Sequence, residues 1–233
     1  MSFFRDIIIV IKNYMRDYEK KGGKKEVPAT SQYLFLDFEF TMPETKMEPK
    51  GFFPEIIEVG LVVVVNDEIC DQFSSYVKPT RFPVLTNRCK SFLNITQEQI
   101  NQGMSFHELV ALLCKYDRSC PSTVVTWGSM DMKVLKENCK AANLPFPFTG
   151  EHRDLAMEYK LFFGNKNHTG LRKAIQEYGN EGVGKAHCAL DDAFTTYNIF
   201  RLVENDKKYL MKTKPPTIGE RIDLTQLRKK FAL

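Results

Sequence analysis

Between residues 33 and 40 the chain reads Tyr-Leu-Phe-Leu-Asp-Phe-Glu-Phe, an aromatic and aliphatic run that predicts a buried β-strand. Residues 56–65 form a second run, nearly continuous in β-branched side chains, as expected of a strand covered on both faces. The stretch between them, 43–54, holds three prolines and a glycine and reads as a loop. Asn66-Asp67 predicts a tight turn into a third strand reaching about Val77, which makes an antiparallel hairpin. Beyond the 79–83 loop the signals become helical. Thr96 with Gln99 and Ser105 with Glu108 are capping boxes, the second opening an apolar helix to about Tyr116. Residues 123–127 predict a short strand, and 130–142 a helix. Pro145 and Pro147 break the chain, and helices are expected near 154–163, 169–178 and 189–204. Strands first, then strands alternating with helices, predict an α/β fold with a mixed sheet flanked by helices.

The rest of the chain divides around this segment. Residues 31–205 are expected to form the single domain, preceded by a helix and linker over 1–30 and followed by a basic tail over 206–233. The apolar run 7–11 is too short to span a membrane, and no small-residue cleavage site follows it. An amphipathic helix is the expectation there, with residues 20–25 as linker and Val27-Pro28 as its end. A chain of 233 residues is long enough for one domain with a full core. Six cysteines are scattered without a C-x-x-C pair, which predicts reduced thiols in an intracellular, cytoplasmic protein. Net charge is +4, unevenly spread: residues 1–26 hold seven Lys/Arg against four Asp/Glu, and 205–233 hold eight against three. The middle is therefore acidic. An acidic core needs cations to handle a polyanion, and basic ends would help to hold one, unless they are simply solvated tails.

The chemistry sits at the ends of the predicted elements. Asp37 and Glu39 are separated by one residue in a strand, so both side chains leave the same face. Two unpaired buried anions would be costly, and a bound divalent cation is the usual remedy; the alternative is a solvent-exposed sheet edge. His187 precedes Asp192 by five residues, at the start of an apolar helix where the dipole favours a carboxylate. Asp191 projects about 100° away around that helix. The glycines in 179–184 predict a mobile loop, which suits a general base that moves with substrate. Asp131 follows the 123–127 strand, in the first turn of a helix that Ser129 can cap. Singly, Asp131 is an ordinary first-turn acid, and Asp192 with His187 could be a helix-capping Asp and an incidental histidine.

Together, Asp-x-Glu on the first strand, Asp at a later strand–helix junction and His-x4-Asp near the last helix resemble the signature of the DEDDh exonucleases. The surrounding words are Phe35-Leu-Asp-Phe-Glu-Phe-Thr41, Glu55-Ile-Ile-Glu-Val-Gly60, Trp127-Gly-Ser-Met-Asp-Met132 and His187-Cys-Ala-Leu-Asp-Asp-Ala193. They resemble the branch that holds the enhanced-RNAi and histone-mRNA 3′ exonucleases and a bacterial sporulation-inhibitor relative. The resemblance covers about residues 32–202. The sister DEDDy group has Tyr four residues before the last Asp, where this chain has Cys188, so His187 decides the subgroup.

What the resemblance implies is an RNase H-like mixed sheet, two Mg²⁺ or Mn²⁺ ions, and removal of nucleoside 5′-monophosphates from 3′ ends. Single-stranded RNA is the favoured partner, with DNA also accepted. Phosphodiester cleavage by two metals needs oxygen ligands on a rigid scaffold, with the ions roughly 3.5–4 Å apart. Asp37 would touch both ions, Glu39 and Asp192 would complete one site, and Asp131 would serve the other through water. His187 would take the proton from the attacking water. Phe40 and Thr41 are expected to cradle the terminal nucleotide, with backbone amides or the Thr41 hydroxyl reaching the 3′-OH. Phe52, Phe53 and Trp127 would stack on bases, with core packing as the alternative. Asp154 reads as a helix N-cap, Glu58 as a structural contact beneath the site, and His107 and His168 as incidental. Two other readings are an adaptor that binds nucleic acid without turnover and a metal-dependent phosphoesterase on small substrates. No protein partner and no recognition module is identifiable in the chain.

Overall fold

The computed structural model describes residues 32–45, 50–119 and 122–212. The expected N-terminal helix and linker lie outside the described residues, as does the tail from 213 onward. The chain divides into two compact units, residues 1–200 and 201–233, and the sheet and site belong to the first. No helix among the described residues is long and apolar enough to cross a membrane.

Six strands form one sheet: β1 (Gln32–Phe40), β2 (Ile56–Val65), β3 (Glu68–Lys78), β4 (Met104–Ser105), β5 (Ser122–Thr126) and β6 (Glu151–Asp154), in the order β4-β3-β2-β1-β5-β6. β1–β2 and β2–β3 pair antiparallel, while β1–β5, β5–β6 and β3–β4 pair parallel. The helices are α1 (Asn87–Leu93), α2 (Gln97–Asn101), α3 (Phe106–Ser119), α4 (Met130–Ala141), α5 (Leu155–Phe163), α6 (Leu171–Glu177) and α7 (Ala189–Lys212). This is the mixed sheet with flanking helices that the pattern predicts. Asn66 and Asp67 both have positive φ, 53° and 67°, as a two-residue type I′ hairpin turn requires.

The strand period sorts β1 into two faces. Leu34, Leu36 and Phe38 point into the core shared with Leu109 and Leu113 of α3 and Leu135 of α4. Tyr33 and Phe35 point the other way and meet α7, with Phe35 5.1 Å from both Tyr197 and Phe200 between ring centroids. Each such fully buried side chain stabilises the fold by about 1.5–3 kcal/mol.

Three elements were not signalled by the pattern. α1 is a seven-residue helix capped by Thr86, whose side chain accepts from the Cys89 amide, with no Glu or Gln at the third position to complete a box. β4 is two residues long, and β6 is a polar edge strand, Glu-His-Arg-Asp, with no apolar alternation to read. The five cysteines among the described residues are free thiols; Cys120 lies outside them.

Candidate active site

The site forms where β1 runs past its parallel partner. β5 pairs with β1 only as far as Phe35, so the edge of β1 beyond that point is open. Asp131, in the first turn of α4, fills it: Oδ1 accepts the Phe38 amide at 3.1 Å. The sequence reading had Ser129 capping this helix. Instead Ser129 lies in the helical region and makes no side-chain cap bond.

On the other edge, antiparallel register sets Glu39 opposite Glu58 and Asp37 opposite Gly60. A Cβ at Gly60 would overlap the Ala189 backbone. Its absence lets the start of α7 rest directly on β2, beside Asp37, a role the sequence alone did not reveal. Glu58 fastens that contact: Oε1 accepts the Ala189 amide at 3.2 Å and lies 3.8 Å from the Cys188 thiol. This is the supporting contact expected of Glu58.

α7 and the turn before it supply the last two groups. Asp192 is buried in the first turn of α7, and its Oδ2 accepts the His187 amide at 2.9 Å. His187 has φ +61°, a left-handed conformation uncommon outside glycine, and its half-exposed ring puts Nδ1 3.9 Å from Glu39 Oε1. Oxygens of Glu39 and Asp192 and a nitrogen of His187 lie within 4.8 Å of one another. The stretch before His187, expected to be a mobile loop, makes several hydrogen bonds to its surroundings. The Val183 amide donates to Thr195 Oγ1, the Lys185 amide to Asp191 Oδ2, and Arg172 reaches the Gly184 carbonyl. Asp191 is thus spent on the turn, and Asp192 faces the site.

Electrostatics mark the cluster as short of positive charge. Although part of Asp37 stays open to the cleft, burial holds its carboxyl well above the usual range, and the charges of Asp131, Glu39, Asp192 and Glu58 add to this. Burial, then Glu58, Asp192 and Asp131, push Glu39 up to about 8. Burial pushes Asp131 up to about 7 against the bond from Phe38. Among the described residues neither Asp37 nor Glu39 has a Lys or Arg ion pair. A compact set of under-compensated carboxylate oxygens on rigid strand and helix ends fits a hard divalent cation. Glu39, His187 and Asp192 bring ligand atoms close enough together for such an ion, and Asp37 and Asp131 belong to the same electrostatic cluster.

The expected substrate groups fare unevenly. Thr41 is buried, its amide donating to the Glu55 carbonyl and its Oγ1 accepting the Glu55 amide, both at 2.9 Å. Those two contacts lock the end of β1 to the start of β2 and remove the Thr41 amide as a seat for a 3′-OH. Trp127 donates its indole N–H to the Thr169 carbonyl and packs edge-on against Tyr159. Phe52 and Phe53 gather around Phe82 rather than joining the acids. Phe40 stays half-buried at the bulge after Glu39. Asp154 caps α5 through the Met157 amide, yet its charge still raises Asp131. One aromatic was missed: Phe92 of α1 is exposed, with its ring 4.3 Å from that of His187. Nothing in the 87–93 pattern singles it out.

Known proteins resemble this chain in sequence and fold. The RNase_T exonuclease family model matches residues 34–200. The chain is 58% identical over 201 residues to the "Probable 3′-5′ exonuclease KapD" of Bacillus subtilis (strain 168), covering 86% of this chain and 98% of that one. It is 32% identical to human "ERI1 exoribonuclease 2" across 75% of this chain but only 28% of that longer protein. Among solved structures, the nuclease domain of 3′hExo, a DEDDh family member bound to rAMP, superposes with a TM-score of 0.67 at 26% identity. That match covers 76% of this chain and 94% of the other, and the mixed sheet is of the RNase H-like kind. The chain belongs to the RNase_T exonuclease family.

Proposed function

We propose that this chain is a metal-dependent 3′→5′ exonuclease acting on single-stranded nucleic acid, RNA in preference to DNA, in the cytoplasm. The observation that carries this is the convergence of Asp37, Glu39, Asp131 and Asp192 at the end of β1, with the His187 ring 3.9 Å from Glu39. Residues 31–205 would be the catalytic domain. Asp37, Glu39, Asp131 and Asp192 would hold two divalent ions, Mg²⁺ or Mn²⁺. When bound, such ions supply Lewis-acid charge at the phosphate and lower the pKa of water.

The chain's own groups do the rest. His187 is half-exposed and held at its backbone by Asp192, so its ring is placed to take a proton from the attacking water. Attack at phosphorus breaks the bond to the 3′-oxygen of the shortened strand and releases a nucleoside 5′-monophosphate. The backbone at Phe40, beside the bulge after Glu39, would meet the terminal sugar. The preference for RNA draws on relatives whose names include exoribonuclease.

The test is a time course on 5′-labelled single-stranded RNA and DNA, each with a free or phosphorylated 3′ end, in Mg²⁺, Mn²⁺ or EDTA. Stepwise shortening from a free 3′ end, lost in EDTA and in Asp37→Ala, is the expected result. Internal cuts would point to an endonuclease. Indifference to a 3′-phosphate would count against a seat at the terminal sugar.

A further inference from the structure

Among the described residues, the Lys or Arg that forms an ion pair with an acid of the site is Arg172 of α6. Nη2 of Arg172 lies 2.7 Å from Asp192 Oδ1, in a pair whose two side chains are 27% and 10% exposed. The other oxygen of Asp192 accepts the His187 amide. Arg172 also lies against the turn before His187: a Cβ at Gly182 would run into its side chain, and Nη1 reaches the Gly184 carbonyl at 3.4 Å. The guanidinium is otherwise poorly engaged. Its Nε is buried with no hydrogen-bond partner, although a guanidinium has five donors to satisfy. One carboxylate thus joins a loosely satisfied cation to the segment that carries His187.

A guanidinium paired to Asp192 and a divalent ion coordinated by Asp192 draw on the same negative charge, and at this separation they repel each other. We propose that Arg172 is a resident counter-ion that competes with the divalent ion for Asp192, so that it sets ion affinity at that carboxylate. Because Arg172 also holds Gly184, loading the ion shifts the turn that positions His187. Arg172 is on this account a positioning residue, and the proposal rests on the reading of Asp192 as an ion ligand.

The experiment is Mn²⁺ binding to the intact protein, read from the free-ion electron paramagnetic resonance signal, for wild type, Arg172→Gln, Arg172→Lys and Asp192→Asn. Thermal unfolding in EDTA and in saturating Mn²⁺ accompanies it. Arg172→Gln should bind Mn²⁺ more tightly, on the order of ten-fold, because it removes a positive charge that repels the ion at short range. It should also melt lower than wild type in EDTA, because Asp192 loses its partner, and the gap between EDTA and Mn²⁺ should widen. Arg172→Lys keeps the charge and should stay near wild type. Unchanged or weaker binding in Arg172→Gln overturns the proposal, since a group that only orients Asp192 would lower affinity when removed. Equal tightening in Arg172→Lys overturns it too. If Asp192→Asn binds as wild type does, the ligand reading beneath the proposal fails, a result distinct from either of these.

Discussion

The face of β1 that meets α7 has two halves with opposite effects on the fold. Tyr33 and Phe35 pack their rings against Tyr197 and Phe200 and stabilise the sheet–helix contact. Two residues further on, Asp37 and Glu39 face the first turn of the same helix and gather anions, so that burial works against them. The same strand, face and helix serve both. Rigidity made by the aromatic half is what holds the acidic half in a crowded, unfavourable arrangement, and that arrangement is what makes it receptive to a cation.

The comparison can be broken from either side. On the acidic half, His187→Ala should reduce turnover by about 10²–10⁴-fold, the contribution of a positioned general base, while Mn²⁺ binding persists. Single-turnover rates with Mn²⁺ titrated separately would check this; an unchanged rate would take His187 out of the mechanism. On the aromatic half, Phe35→Ala should destabilise the fold by about 3–5 kcal/mol through the cavity it leaves. Urea unfolding measures that loss. Turnover per folded molecule should fall far less than in His187→Ala, and an equal fall would show that the two halves cannot be separated.

A smaller effect sharpens the contrast through pH. Glu39 and Asp131 are pushed up to about 8 and about 7 in the fold, above the usual carboxylate values near 4. The folded protein therefore holds more protons than the unfolded chain across that window. The stability tied to these groups is fully present below about pH 4 and is lost as pH rises through about 7 to 8. Melting temperature in EDTA should fall over pH 5 to 8, and the rise on adding Mn²⁺ should grow over the same range because the ligands must be deprotonated. A flat profile in EDTA would mean that these carboxylates are not under strain.

How much of this was legible in the chain depends on the scale of each interaction. Asp37 and Glu39 were readable because a period of two places both on one face whatever the rest of the fold does. The first-turn acids Asp131 and Asp192 were readable as helix starts, but not what they would touch. Asp131 meets the Phe38 amide across 93 positions and Asp192 meets Arg172 across 20, contacts that only the tertiary fold creates. Gly60 escaped notice because its function is an absence of side chain opposite Asp37. The turn before His187 adds a contact of the same kind, since its glycines suggest mobility but do not show that Gly184 leaves room for the Asp191 carboxylate, which accepts the Lys185 amide. Thr41 was placed in the right neighbourhood, but the backbone of Glu55 claims its amide and its hydroxyl oxygen.

The central claim is that the acids which make the site receptive to metal are a burden on the fold without it. The direct measurement is the melting temperature of wild type and Asp37→Ala at pH 8, each in EDTA and in saturating Mg²⁺. Removing Asp37 relieves the most crowded carboxylate and also removes a proposed ion ligand, so the ranking should invert. Asp37→Ala should melt above wild type in EDTA and below it in Mg²⁺. The same ranking in both buffers would contradict the account.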